Sequence, residues 1–189
     1  MRIEFIGAQG TGKSSVADRL KELGIPIIDG VVRDLVKTQN IHINEKGNAT
    51  SQNIIFHNYK HLLDEYADYI STRSLIDVIA YTQYLYIHSK EDPDLLDEVL
   101  DQIHQLREYK YTNKDIVYIY FPIEFDIKGD GTRSVDKNYQ KEIDKLIKQL
   151  LGSLNIKYYT ISGSVEERVK FVEDLIEDLE SKKRPKRKK

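Results

Sequence analysis

Eight residues near the N-terminus, Gly7-Ala8-Gln9-Gly10-Thr11-Gly12-Lys13-Ser14, constrain this chain more than any other feature. They match the pattern glycine, four residues, glycine, lysine, serine or threonine. In such a loop the glycines let backbone N–H groups turn inward around phosphate oxygens, the lysine reaches the β and γ phosphates, and the hydroxyl ligates Mg²⁺. The pattern has physical meaning only between a strand and a helix. Arg2 to Ile6 alternates apolar and polar residues and stops at Gly7, and Val16, Ala17, Leu20 and Leu23 recur at helical spacing until Gly24. The context is therefore strand, glycine loop, helix. Gly7, Gln9, Gly10, Thr11, Gly12, Lys13, Ser14 and Ser15 are the candidate nucleotide-binding residues, with Lys13 the catalytic cation and Ser14 the metal ligand.

The remaining pattern alternates strands with helices. Ile25 to Ile28 reads as a second strand and Val31 to Val36 as a helix, followed by a polar, mobile connection from Asn40 to Ser51. Helical stretches are expected over about 52–66, 74–88, 93–108, 138–151 and 165–179. Strands are expected at 69–72, at 115–121, where β-branched and aromatic residues run up to Pro122, and at 156–161. This order argues a parallel, doubly wound sheet with helices on both faces. Residues 1–180 read as one domain, and 181–189 as a basic, disordered tail.

Composition narrows the function classes. The seven basic residues from Lys182 to Lys189 are part of a total of 29, and without them 22 basic residues face 31 acidic ones. A body that acidic is not a general nucleic-acid binder, whereas the tail alone can touch DNA phosphates or stay solvated. No window approaches the roughly 18 consecutive apolar residues of a bilayer span, and the N-terminal residues lack the apolar run of a secretory signal. Zero cysteines excludes thiolate metal sites and cysteine nucleophiles, and a cytoplasmic location is expected. His57 and His61 share a helix face without a carboxylate motif, so they read as surface residues rather than metal ligands.

The loop, Arg73-Ser74-Leu75-Ile76-Asp77 and Asp130-Gly131-Thr132-Arg133-Ser134 follow one another in the order seen in small phosphate-loop kinases. Up to about Leu179 the chain resembles a phage-type branch of the AAA-like nucleotide kinases, related to nicotinamide riboside kinase and to nucleoside and nucleoside monophosphate kinases. The resemblance implies a five-stranded parallel sheet of order 2-3-1-4-5, ATP and Mg²⁺ as cofactors, a nucleoside or nucleotide acceptor, and a lid over the phosphates at about 126–137 carrying Arg133. It also implies that Ser162 and Gly163, ahead of Arg168, contact the adenine; the same residues form an ordinary helix start.

Four further residues are candidates on the acceptor side. Asp29 ends the second strand at a ligand edge, where resembling nucleoside kinases carry the base that takes a proton from an acceptor hydroxyl; an N-cap ahead of Val31 is the alternative. Arg33, one turn on, holds an acceptor phosphate or a lid carboxylate, or else pairs on the surface. Arg73 belongs to a triplet whose first member is acidic in those kinases; here Thr72 stands in that place, and a threonine there orients a metal-bound water. Asp77 is the alternative acid, or a cap within its helix. Arg133 supplies charge to the transferring phosphoryl group or is a solvated loop arginine. The leading function is an ATP-dependent kinase of a nucleoside or nucleotide; a kinase of a hydroxymethylated base in phage DNA and a nucleotide-hydrolysing switch are the alternatives.

Overall fold

The computed structural model describes residues 1–89, 92–126 and 134–183, without the side chains of Leu23 and Lys183. Five strands, β1 (Arg2–Ile6), β2 (Ile27–Ile28), β3 (Tyr69–Ser71), β4 (Ile116–Tyr120) and β5 (Tyr159–Thr160), form one all-parallel sheet of order β2-β3-β1-β4-β5. Seven helices accompany them: α1 (Lys13–Leu20), α2 (Val31–Gln39), α3 (Ala49–Glu65), α4 (Leu75–His88), α5 (Leu95–Thr112), α6 (Lys137–Ser153) and α7 (Val165–Lys183).

Alternation along β1 divides the interior in two. Ile3 and Phe5 point into a core with Val16, Ala17 and Leu20 of α1 and with Val172, Leu175 and Ile176 of α7. Ile6 points to the opposite core, built from α2 to α6 around Phe56, Leu63, Ile79 and Ile147. A strand covered on both faces has no solvated side, which is why the central strands are rich in β-branched and aromatic residues. Glu4 is the exception, a carboxyl 1% exposed on that second face.

Several boundaries depart from expectation, among them α5, which runs to Thr112 rather than 108, and three show why. The polar stretch 40–51 holds a 3₁₀ turn over Asn44–Lys46, and α3 begins at Ala49 rather than 52. The reason is a reciprocal cap: Ser51 N–H donates to Asn48 Oδ1 at 2.8 Å, and Asn48 N–H donates to Ser51 Oγ at 2.9 Å. The fifth strand contracts to two residues at the sheet edge, where it pairs only with β4. Helix α7 runs through Lys183, four residues past Leu179, with Lys182 Nζ held by Asp178 at 2.6 Å. Expectations for Arg133, the glycines of the lid and residues 184–189 fall outside the described residues.

Candidate functional site

The loop between β1 and α1 is shaped by backbone that only glycine adopts readily. Gly7, Gly10 and Gly12 have φ of 149°, 75° and 89°. A Cβ on Gly7 would lie 2.5 Å from the Phe121 carbonyl oxygen, so the loop passes too close to the end of β4 for any side chain. Lys13, the first residue of α1, is 9% exposed; its ammonium donates to the carbonyls of Gly7 and Ala8, the latter at 2.7 Å, and to Thr11 Oγ1 at 3.3 Å. The cation is thus fixed over the loop.

Asp77 lies beneath this loop. Its Oδ1 accepts from Gly7 N–H at 2.8 Å, and its Oδ2 accepts from Ser74 N–H at 2.9 Å as part of the capping box of α4. The side chain is fully buried; burial pushes its pKa up, while Lys13 and the Gly7 N–H pull the other way. Asp77 is not among the residues that line the cleft. Its carboxylate fastens the loop to α4.

The cleft opens from the loop toward the carboxyl ends of β2 and β3, the place where ligands sit in open α/β sheets. Lys13, Ser14, Asp29, Arg33, Thr72 and Arg73 all line it. Asp29 does not cap α2, because Gly30 is the N-cap residue and no side chain caps it. Instead Asp29 Oδ1 accepts from Thr72 Oγ1 at 2.5 Å and from Ser14 Oγ at 3.3 Å, and Oδ2 accepts from Arg33 at 3.2 Å. The threonine in the place of the expected acid therefore orients a carboxylate carried by the neighbouring strand. Arg33 pairs with Asp29 across the mouth of the cleft rather than with Asp34. The Arg73 guanidinium lies over the Tyr81 ring, 5.0 Å from its centroid.

Gln9, Tyr59, Tyr81 and Gln52 also face this cleft, and sequence reasoning gave only Gln9 a place in it. Tyr81 donates its hydroxyl to Gln9 Oε1 at 2.8 Å, and Gln140 on α6 donates to the Gln9 carbonyl at 2.7 Å. The apolar spacing of α4 conceals Tyr81 as a packing residue, and only the fold reveals that its hydroxyl reaches the loop.

On the other flank of the loop, Ser162 and Gly163 are exposed and outside the acceptor cleft. They are joined to the loop by Arg168, which is fully buried. Its guanidinium donates to Thr11 O at 2.7 Å, to Gly163 O at 3.0 Å and to Glu124 Oε2 at 2.7 Å, and lies over the Phe125 ring at 4.7 Å. Glu124, an exposed residue, also accepts from Gly163 N–H at 2.9 Å; against a partial loss of hydration, that bond and Arg168 hold its carboxyl below the usual range. The signal was present in the sequence, since Arg168 interrupts the apolar face formed by Val165, Val169, Val172 and Ile176. His57 and His61 are exposed, and the described residues contain no cluster of three metal-ligating side chains.

Residues 2–168 match the AAA domain family. The chain belongs to that family. Comparison with curated proteins gives no match. Among solved structures, deoxyadenosine kinase from M. mycoides, with products dCMP and a flexible dCDP bound, superposes with a TM-score of 0.61 at 14% identity, over 95% of this chain and 100% of that one. Shikimate kinase from Aquifex aeolicus vf5 gives 0.57 at 20% identity, over 95% and 98%. NadR in complex with NR gives 0.61 at 12% identity, over 93% of this chain and 50% of NadR. What these chains share with the present one is the P-loop fold, with its strand order.

Proposed function

We propose that the protein is an ATP-dependent phosphotransferase that moves the γ-phosphoryl group to a nucleoside or nucleotide. The observation that carries this reading is the cleft itself: the phosphate-binding loop opens onto a walled space lined on its far side by Asp29, Arg33 and Arg73. A protein that only hydrolyses nucleotide needs room for water beside the γ-phosphate; an acceptor needs a second site facing the loop. The kinase structures of the same fold strengthen the reading.

The roles follow from placement. Backbone N–H groups of the loop and Lys13 face the phosphates, where charge spreads over the phosphoryl oxygens as transfer proceeds. Ser14 Oγ and Asp29 Oδ1, 3.3 Å apart, fit a small hard cation that keeps water and phosphate oxygens in its shell, with Thr72 orienting the carboxylate. With Mg²⁺ held there, these residues would place a charge that neutralises the phosphates. For a hydroxyl acceptor, Asp29 is the proton acceptor; for an acceptor that is already ionised none is required. Arg73 and Arg33 position the acceptor, and Arg133, outside the described residues, supplies charge to the transferring phosphoryl group. Ser162 and Gly163, held to the loop by Arg168, flank the place for the adenine.

Incubation with γ-labelled ATP and a panel of nucleosides, their monophosphates, nicotinamide riboside and DNA carrying hydroxymethylated bases tests the proposal. Label is expected on a nucleoside or nucleotide. Label on none of these, with phosphate released to water, refutes it.

A further inference from the structure

Charge and hydrogen-bond satisfaction are uneven across the cleft. Arg73 is half-buried, and among the described residues no carboxylate forms an ion pair with its guanidinium; its close partner is Tyr81, by the face of the ring and by the hydroxyl. Asp77 bears on it only from a distance, because both oxygens of that carboxylate are engaged by Gly7 and Ser74. Beside it Gln9 is 5% exposed, and its Nε2 is a buried donor with no partner. The orientation of that amide is set by Tyr81, whose hydroxyl hydrogen goes to Oε1 and so leaves the nitrogen as the free end. A half-buried guanidinium without a carboxylate partner, on a cleft that Gln9 also lines, suits an acceptor-rich, negatively charged ligand, since buried donors left unmet are costly.

Asp29 completes the case. It is the only carboxylate among the described cleft-lining residues, and both of its oxygens are engaged, one by Ser14 and Thr72, the other by Arg33. Lys13 faces the loop's own phosphates, so Arg73 is a cation beyond what that loop employs. Val78 and the Tyr59 ring offer an apolar wall suited to a flat base.

We propose, building on the phosphotransferase reading, that the acceptor is a phosphomonoester, a nucleoside monophosphate whose phosphate is held by Arg73 and Gln9, and not a nucleoside hydroxyl. In that reaction an ionised oxygen of the acceptor phosphate forms the new bond to the γ-phosphorus. The bond from that phosphorus to the bridging oxygen breaks, and its electron pair leaves with ADP. No proton has to be removed, which agrees with a carboxylate already engaged on both sides.

The test measures affinity separately from turnover. The full chain, saturated with a non-hydrolysable ATP analogue and Mg²⁺, is titrated calorimetrically with the common ribo- and deoxynucleoside monophosphates and with the matching nucleosides. At least one monophosphate should bind on the order of 10- to 100-fold more tightly than its nucleoside, as expected for charge-assisted hydrogen bonds. Arg73→Gln should close that gap while leaving the affinity for the ATP analogue unchanged, and Arg73→Lys should restore part of it. Gln9→Leu, which does not touch the guanidinium, should weaken the monophosphate more than the ATP analogue. Equal affinity for both classes overturns the proposal, as does failure of every monophosphate to bind. So does an Arg73→Gln protein that loses the ATP analogue but keeps the gap, because the anion held there would then be the γ-phosphate. Label passed from ATP to nucleosides but not to monophosphates removes this proposal and leaves the phosphotransferase standing. Tight monophosphate binding without transfer to any acceptor removes the phosphotransferase instead.

Discussion

Glu4 offers a prediction whose size follows from the structure. Its carboxyl lies 1% exposed in the middle of the central strand, accepting from the hydroxyls of Tyr69 at 2.9 Å and Tyr109 at 3.1 Å, with the Tyr118 hydroxyl buried nearby without a partner. Burial raises its pKa to about 7 from an ordinary 4.5, against the two phenol hydrogen bonds, which lower it. The folded state therefore binds this proton more tightly than the unfolded chain does. The stability it contributes is fully present below pH 4.5 and is lost as pH rises through about 7. Over that interval the loss is about 3 kcal/mol, at roughly 1.4 kcal/mol for each tenfold change in proton affinity. For a chain of this size that corresponds to about 6–12 °C in Tm. Glu4→Gln removes the titration and keeps an oxygen for the two phenols. The assay is thermal unfolding by circular dichroism at intervals from pH 5 to pH 8.5, with wild type and variant side by side so that other titrating groups cancel. The wild-type Tm should fall by that margin relative to the variant. Parallel curves across the range refute the reasoning.

Four other substitutions follow from the site. Lys13→Ala should abolish transfer while leaving unfolding unchanged, a loss of about 3–4 kcal/mol in transition-state stabilisation, read from kcat at saturating ATP. Asp77→Ala leaves the buried N–H groups of Gly7 and Ser74 without their acceptor; it should lower stability by about 2–5 kcal/mol in urea unfolding and weaken ATP binding in the same protein. Arg168→Lys cannot reach Thr11, Gly163 and Glu124 at once, so calorimetry should show weaker ATP binding with little change in acceptor affinity. Arg133→Ala, at a position outside the described residues, should reduce kcat far more than it weakens ATP binding if the contact is made mainly in the transition state, and unchanged kcat removes Arg133 from the mechanism.

The loop, its strand and its helix are legible in sequence because each requirement is local: glycines where φ is positive, a lysine and a hydroxyl at fixed spacing, periodicity on either side. The alternation of strands and helices is legible for the same reason, and the strand order followed from the resemblance to phosphate-loop kinases. Contacts that depend on distant segments meeting are hidden. Nothing local indicates that Thr72 would orient Asp29 across two strands, that Asp77 would hold Gly7, or that the Tyr81 hydroxyl would reach Gln9. Arg168 lies between these cases. It is a charge set into an apolar helix face, so the sequence marks it as unusual, whereas Glu4 fits the ordinary alternation of a strand. The partners of Arg168 become evident only when α7 packs on the loop, and those of Glu4 only when β1, β3 and α5 meet.

ADP formation measured with and without acceptor tests the central claim most directly. A phosphotransferase with a second site facing its loop should release ADP at least about tenfold faster when its acceptor is present, mole for mole with phosphorylated product, as positioning of two reactants requires. ADP released at one rate whether or not any nucleoside or nucleotide is added, with all phosphate appearing as inorganic phosphate, contradicts it.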